Sequence, residues 1–238
     1  MSNLPEIQGL TPSAGLDAQR AFIRANTRLG RVAGLNVVRG GAPVAMRLWQ
    51  ADEITPIWAA TESDLARGGI EPPFWAFPWA GGQAVARLLL ERPELVAGQR
   101  VLDIATGGGM IAVAAAWAGA AEVVANDIDP LCEAAVSLNA EANGAVITWR
   151  GGNLLDLPPP DAGVILAGDI FYQKQMAGRF LDWLGIAAAR GTQVYAGDPG
   201  RAYAPTGGAP PLAEYDIETS LDLEGVPHRR ARVWRLFS

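Results

Sequence analysis

The stretch VLDIATGGGM, residues 101–110, constrains the fold more than any other part of the chain. Val101, Leu102 and Ile104 read as a buried strand, and Gly107 to Gly109 then open a helix. Glycine accepts a tight turn and lets a ligand approach the backbone, while the first-turn N–H groups of a helix favour a negative group such as a carboxylate. Asp103 ends the strand, and Asp127 stands at the end of the next apolar run, in VVANDID. A carboxylate there can accept both hydroxyls of an adenosine ribose. The motif therefore predicts a nucleotide-type ligand on the carboxyl edge of a parallel sheet.

The surrounding pattern supports such a sheet. Strands are expected over 100–104, 122–126, 146–149, 163–167 and 192–196, separated by helices over 110–117, 130–142 and 173–186. Strands alternating with helices imply parallel pairing with right-handed crossovers. After them, residues 215–221 and 230–237 alternate apolar and polar side chains around Gly225, Val226 and Pro227, which predicts an antiparallel pair. The expected fold is α/β: a doubly wound, mostly parallel seven-stranded sheet ending in an antiparallel hairpin. With 238 residues, half of them hydrophobic, the chain suits one such domain, taken as 71–238, behind an N-terminal extension over 1–70.

In that extension a helix is expected over 16–29, then two short strands or an irregular arm over 35–49, broken by Gly40, Gly41 and Pro43. The segment EPPFWAFPWAGG, 71–82, sets Phe74, Trp75, Phe77 and Trp79 among Pro72, Pro73 and Pro78 and reads as a rigid aromatic loop, with a helix resuming at Gln83. No apolar run approaches the length of a membrane span, and MSNLPEIQGL lacks a signal-peptide pattern, so a cytoplasmic protein without a membrane partner is expected. The net charge is −6 and the basic residues are dispersed, which argues against nucleic acid as a partner. One cysteine, Cys132, and one histidine, His228, leave no metal site to build.

The glycine turn alone admits a rival. Gly107, Gly109 and Ala112 also satisfy G-x-G-x-x-A, with Asp127 downstream, as in an NAD(P)-dependent oxidoreductase. Against that stand the acidic Asp103 where dehydrogenases carry an apolar strand end, the closing hairpin and the aromatic arm. These favour S-adenosylmethionine as cofactor. A noncatalytic binding protein that keeps the fold is a further alternative, since fold does not dictate function.

Five ordered motifs, PFWAFPWAGGQA (73–84), VLDIATGGGM, ANDIDP (125–130), GDIFY (168–172) and GDPGRAY (197–203), resemble the family-16 protein methyltransferases. The resemblance is nearest to lysine methyltransferases acting on the electron transfer flavoprotein β subunit. It covers the chain from about Pro72 onward. It implies that Asp103, Ala105, Gly107 and Gly109 surround the methionine part of S-adenosylmethionine, and Asp127, with Ile128 beside it, the ribose. Ala105 departs from the glycine common at that point in the turn. Asn153 falls where such enzymes often meet the adenine amino group, although by its own context it reads equally well as a loop cap. Trp79 and Gln83 would border the cofactor.

In the resembling family the D-x-x-Y element adjoins the target lysine. That implies catalytic roles for Asp169, orienting the amine, and Tyr172, with Trp75 and Phe171 walling a channel for the lysine stem. By its position, Asp169 can also read as a cap for the helix near Gln173. The expected partner is a protein substrate bearing the lysine, the electron transfer flavoprotein β subunit first and a ribosomal protein second, met by a monomeric enzyme.

Overall fold

The computed structural model describes residues 14–52, 57, 72–205, 210–220 and 225–237. Helix α1 (Leu16–Asn26) leads into a hairpin of β1 (Arg28–Arg39) and β2 (Ala42–Gln50). Helix α2 (Ala80–Glu91) precedes the alternation β3 (Arg100–Ile104), α3 (Met110–Trp117), β4 (Glu122–Asp127), α4 (Leu131–Asn143), β5 (Thr148–Gly151), β6 (Val164–Gly168), α5 (Lys174–Ala188) and β7 (Gln193–Asp198). Strands β8 (Ala213–Glu218) and β9 (His228–Leu236) close the chain. Among the described residues the main sheet has seven strands in the order β5-β4-β3-β6-β7-β9-β8. Its first five are mutually parallel, and β9 runs antiparallel to both its neighbours.

This is the expected doubly wound sheet, and the burial pattern explains it. From Val101 to Ile104 in β3 and from Val164 to Ala167 in β6 every residue is buried, as a strand covered by helices on both faces requires. On one face Leu88 and Val85 of α2 and Val113 of α3 pack against Leu166; on the other Phe180, Trp183 and Leu184 of α5 pack against Leu102 and Ile165. Strand order reverses between β3 and β6, so the crevice at their carboxyl ends is the switch point where open α/β sheets bind ligands. Among the described residues no helix is long and apolar enough to cross a membrane.

The N-terminal region is more regular than its sequence predicts. Helix α1 stops at Asn26, where Thr27 bonds back to the Ile23 carbonyl through both its N–H and its hydroxyl. The arm is a hairpin of two long strands, paired from Arg28 with Gln50 to Arg39 with Ala42 and turning at Gly40 and Gly41. Its alternation is hidden by a register shift between Arg31 and Asn36, where Gly34 takes φ +73°. Val32, Leu35, Met46 and Leu48 enter the main core from this hairpin. Helix α4 extends the hairpin's edge: the Asn143 amide accepts from Arg47 N–H at 2.9 Å and donates to Arg47 C=O at 2.6 Å, as a neighbouring strand would. A boundary at residue 70 falls outside the described residues.

Candidate active site

Asp103, the penultimate residue of β3, is fully buried. One carboxyl oxygen, Oδ2, accepts from the Ala112 N–H at 3.0 Å and from the Thr106 hydroxyl, bracing the glycine turn and the first turn of α3. The other, Oδ1, is buried without a partner among the described residues. Burial pushes the carboxyl up to about 7 despite those two donors, and the nearby Asp127 charge adds to the rise. Ala105 holds φ +54°, the left-handed backbone that glycine adopts at little cost, and Gly107 and Gly109 follow at +53° and +81°. A Cβ on Gly108 would stand 2.7 Å from the Trp75 carbonyl, so the aromatic segment lies directly on the turn.

Asp127 closes the turn from the next strand. Its Oδ2 accepts from Gly107 N–H at 2.9 Å, and its Oδ1 from the N–H groups of Ile128 and Asp129 at 2.7 and 3.1 Å. Ile128 projects into solvent, 70% exposed. Asn153 caps its own loop, with Oδ1 accepting from Leu155 N–H at 3.2 Å and Nδ2 donating to Asp156.

The aromatic segment divides into inner and outer residues. Trp79 is half-buried at the start of α2, its indole N–H bonded to Phe74 C=O at 2.8 Å, and Gln83 is buried with its amide on Pro78 C=O at 2.6 Å. Trp75, expected in a channel wall, is instead packed in the interior among Phe22, Ile23, Leu131 and Leu138. Phe171, expected beside it, is fully buried in the core under α5. In both cases apolar area outweighs the alternative: a large aromatic ring gains more from the core than from a wetted wall. Tyr172 alone of that element is exposed, at 54%.

Asp169 follows β6 with φ +57°, an uncommon conformation for a side chain that is not glycine. Its Oδ2 accepts from Gly82 N–H at 2.8 Å at the start of α2, and its Oδ1 from the Arg201 guanidinium at 3.2 Å. It does not cap α5, whose first residue is preceded by Gln173 without a side-chain cap. Burial lifts this carboxyl to about 6; Arg201 and Gly82 N–H draw it down, and Asp198 pushes it up. A Cβ on Gly81 would lie 2.7 Å from Asp169 Oδ2, which is why a helix can begin so close to the carboxylate.

Sequence reasoning did not single out Asp198 or Asn139 as site residues, and it took Arg201, of the GDPGRAY motif, only as a residue of the substrate entrance on a loop. Asp198 ends β7 with no exposure, and burial raises its carboxyl. Arg201 spans Asp169, Asp198 and the face of Trp79, its guanidinium carbon 5.9 Å from the ring centre. Asn139 of α4, 1% exposed, accepts from Trp49 N–H of β2 at 2.7 Å and donates to Gly108 C=O at 2.8 Å, joining the hairpin to the glycine turn. The available signal was the pair Asn139 and Asn143, weak helix formers four residues apart inside a helix.

Four carboxylates thus line one edge, each at or just beyond the end of a different strand. A ligand carrying positive charge suits them. The unpartnered Asp103 oxygen and the glycine cradle fit the ammonium and carboxylate of S-adenosylmethionine, and the acidic edge fits its sulfonium.

Comparison with known proteins agrees. The family model for ribosomal protein L11 methyltransferase (PrmA) matches residues 87–167. The crystal structure of a putative RNA methyltransferase from Pyrococcus horikoshii superposes with a TM-score of 0.51 at 18% identity, covering 69% of this chain and 88% of that one. Sheet order, switch-point acids and glycine turn together define a class I, S-adenosylmethionine-dependent methyltransferase.

Two relatives narrow the class. The electron transfer flavoprotein β subunit lysine methyltransferase of Xenopus laevis is 39% identical over 168 residues, 68% of either chain. That of Danio rerio is 45% identical over 132 residues, 55% of this chain and 51% of the relative. The chain belongs to the family of electron transfer flavoprotein β subunit lysine methyltransferases, and is an S-adenosylmethionine-dependent protein-lysine methyltransferase.

Proposed function

We propose that this enzyme methylates lysine side chains of the electron transfer flavoprotein β subunit, with the cofactor at the β3–β4 edge and the incoming amine at Asp169. The observation that carries the placement is Asp169 itself. It is a buried carboxylate in a left-handed conformation, across the switch point from Asp103, with its two oxygens fixed by Gly82 and Arg201. The protein named as substrate comes from what the relatives act on.

When bound, the cofactor supplies a methyl group already activated by its sulfonium. The chain has then to bind, align and exclude water. Asp103 would meet the cofactor ammonium and Asp127 the ribose hydroxyls, while Ala105, Gly107 and Gly109 leave the backbone open to the carboxylate end. Exposed Ile128 would flank the nucleotide, Asn153 would serve its loop more than the adenine, and Trp79 and Gln83 would border the site. Asp169 is ionised above pH 6, so it accepts a hydrogen bond from the lysine Nζ and holds it on line. The Nζ proton leaves to solvent, helped by the positive charge nearby. Tyr172, exposed three residues after Asp169, would flank the lysine stem.

The extension over 1–70 would support a catalytic domain over 71–238, in a monomeric, cytoplasmic enzyme with no nucleic-acid or membrane partner. A ribosomal protein is the second substrate candidate, because the matching family model is that of a ribosomal protein methyltransferase. The test is mass spectrometry of both recombinant candidates after incubation with enzyme and cofactor, each target lysine compared with its arginine replacement. Methyl groups on β-subunit lysines are expected. Methylation confined to the ribosomal protein would reassign the substrate, and methyl groups only on other acceptors would overturn the lysine reading.

A further inference from the structure

We propose that Arg201 is a positioning residue for methyl transfer, fixing the aim and charge of the Asp169 carboxylate that receives the lysine amine. The inference rests on the role given to Asp169 above. It starts in the turn Asp198-Pro199-Gly200-Arg201. Asp198 Oδ1 accepts from the N–H groups of Gly200 and Arg201 at 2.7 and 2.6 Å, and Gly200 takes φ +92°. An Asp that bonds backbone groups two and three residues on builds a tight turn. Here the turn leaves β7 and sends the Arg201 side chain back over the sheet edge.

That side chain is then held on three sides. It reaches Asp169 Oδ1 at 3.2 Å, its Nε lies 4.0 Å from Asp198 Oδ2, and it stacks toward Trp79. Trp79 precedes α2, whose Gly82 N–H binds the other Asp169 oxygen. The groups acting on the Asp169 carboxylate are therefore one cation, one second carboxylate and one backbone donor, with the aromatic face of Trp79 set against the cation. Asp198 raises and Arg201 lowers the Asp169 carboxyl, and both act at short range in a site where only 10% of the Asp169 side chain meets solvent. Without the guanidinium, the two acids would act on each other with no cation to offset them. One would stay protonated near neutral pH and offer the amine an O–H instead of an acceptor.

Each Asp169 oxygen keeps a further lone-pair direction, so Arg201 and a lysine amine can share the carboxylate. The cluster of two acids and one guanidinium carries a net negative charge that an incoming ammonium neutralises. Lysine can also supply the charge of Arg201, though not its planar fork, which makes Arg201→Lys a partial substitute and Arg201→Met none.

The test compares wild type, Arg201→Met, Arg201→Lys and Asp169→Asn. The Asp169 carboxyl is followed by carbon-13 resonance from pH 4 to 9, assigned by its loss in Asp169→Asn. Methyl transfer to recombinant β subunit is followed over the same range, as the ratio of each variant to wild type, which cancels the titration of the substrate lysine. In Arg201→Met the carboxyl midpoint should rise by about one unit or more, the usual effect of losing an adjacent opposite charge. For a rise of one unit from the wild-type midpoint of about 6, the kcat/KM ratio should fall about fivefold more at pH 6 than at pH 9. Arg201→Lys should lie between, and the dissociation constant for S-adenosylmethionine should stay within about twofold in all. An unmoved carboxyl midpoint in Arg201→Met overturns the inference, as does a rate loss of the same factor at every pH. Wild-type turnover by Asp169→Asn would instead remove the role given to Asp169, whatever Arg201 does.

Discussion

Replacing Asp103 by Asn should make the protein more stable at alkaline pH and a worse binder of its cofactor. Asp103 is fully buried, with one oxygen unpartnered, and burial carries its carboxyl from the ordinary 3.8 to about 7. Because the folded value is the higher one, the group favours the folded state below pH 4, and that contribution is lost as pH rises through about 7. Above pH 7 the folded protein therefore bears roughly three pH units at about 1.4 kcal/mol each, on the order of 4 kcal/mol. Asn keeps an acceptor for Ala112 N–H but turns an NH2 toward the unpartnered side, which costs about 1–3 kcal/mol. The expected net gain at pH 8 is thus about 1–3 kcal/mol, turning into a net loss of about 1–3 kcal/mol toward pH 4, where the charge cost is gone and only the NH2 cost remains. Urea unfolding of both proteins at pH 4, 6 and 8 measures it. Calorimetry with S-adenosylmethionine gives the second half: affinity of the wild type should drop about tenfold per pH unit below 7, and the Asn variant should bind weakly with no such slope. A variant no more stable at pH 8 than at pH 4, relative to wild type, would show that the buried charge is not the cost assigned to it. Unchanged affinity would remove Asp103 from the cofactor site.

Asp127→Ala should weaken S-adenosylmethionine by about 1–3 kcal/mol, the scale of hydrogen bonds to a charged acceptor, because it removes the ribose acceptor and frees Gly107 N–H; calorimetry with circular dichroism as a fold control checks it. Asn139→Asp should raise the cofactor dissociation constant about tenfold by setting a carboxylate oxygen against Gly108 C=O, whereas a variant that loses stability but binds normally would confine Asn139 to holding the hairpin.

The parallel sheet was legible because its central strands β3, β6 and β7 are buried on both faces and so appear as short continuous apolar runs with an acid or a glycine at the edge. Asp103 and Asp127 stood out by that placement, and Asp169 by the D-x-x-Y element that carries the family resemblance. The hairpin was less legible, since Gly30, Gly34 and the register shift interrupt the two-residue period that marks a strand. The mostly parallel seven-stranded sheet with its closing antiparallel pair followed from alternation plus handedness, while the order of its strands comes from the structure. Which way Trp75 and Phe171 turn did not, because a loop aromatic can face core or cleft with the same neighbours in sequence, and only the surrounding volume decides.

Three residues whose tertiary roles the local sequence did not reveal share a physical property. Asn139, Asp198 and the Arg201 side chain act through tertiary contacts: Asn139 bridges β2 and the glycine turn, and Arg201 joins β6, β7 and Trp79. Their local sequences report only local roles, a helix and a turn. Yet each costs something that a purely structural design would avoid: two asparagines in a helix, a buried aspartate oxygen without a hydrogen-bond donor, a cation set between two acids. Those costs gather on the edge that also carries Asp103 and the strained backbone of Ala105 and Asp169. A fold stabilised by apolar cores on both faces of its sheet can bear that concentration, and the same buried, unevenly satisfied charges are what make the edge receptive to a cationic cofactor and a lysine amine.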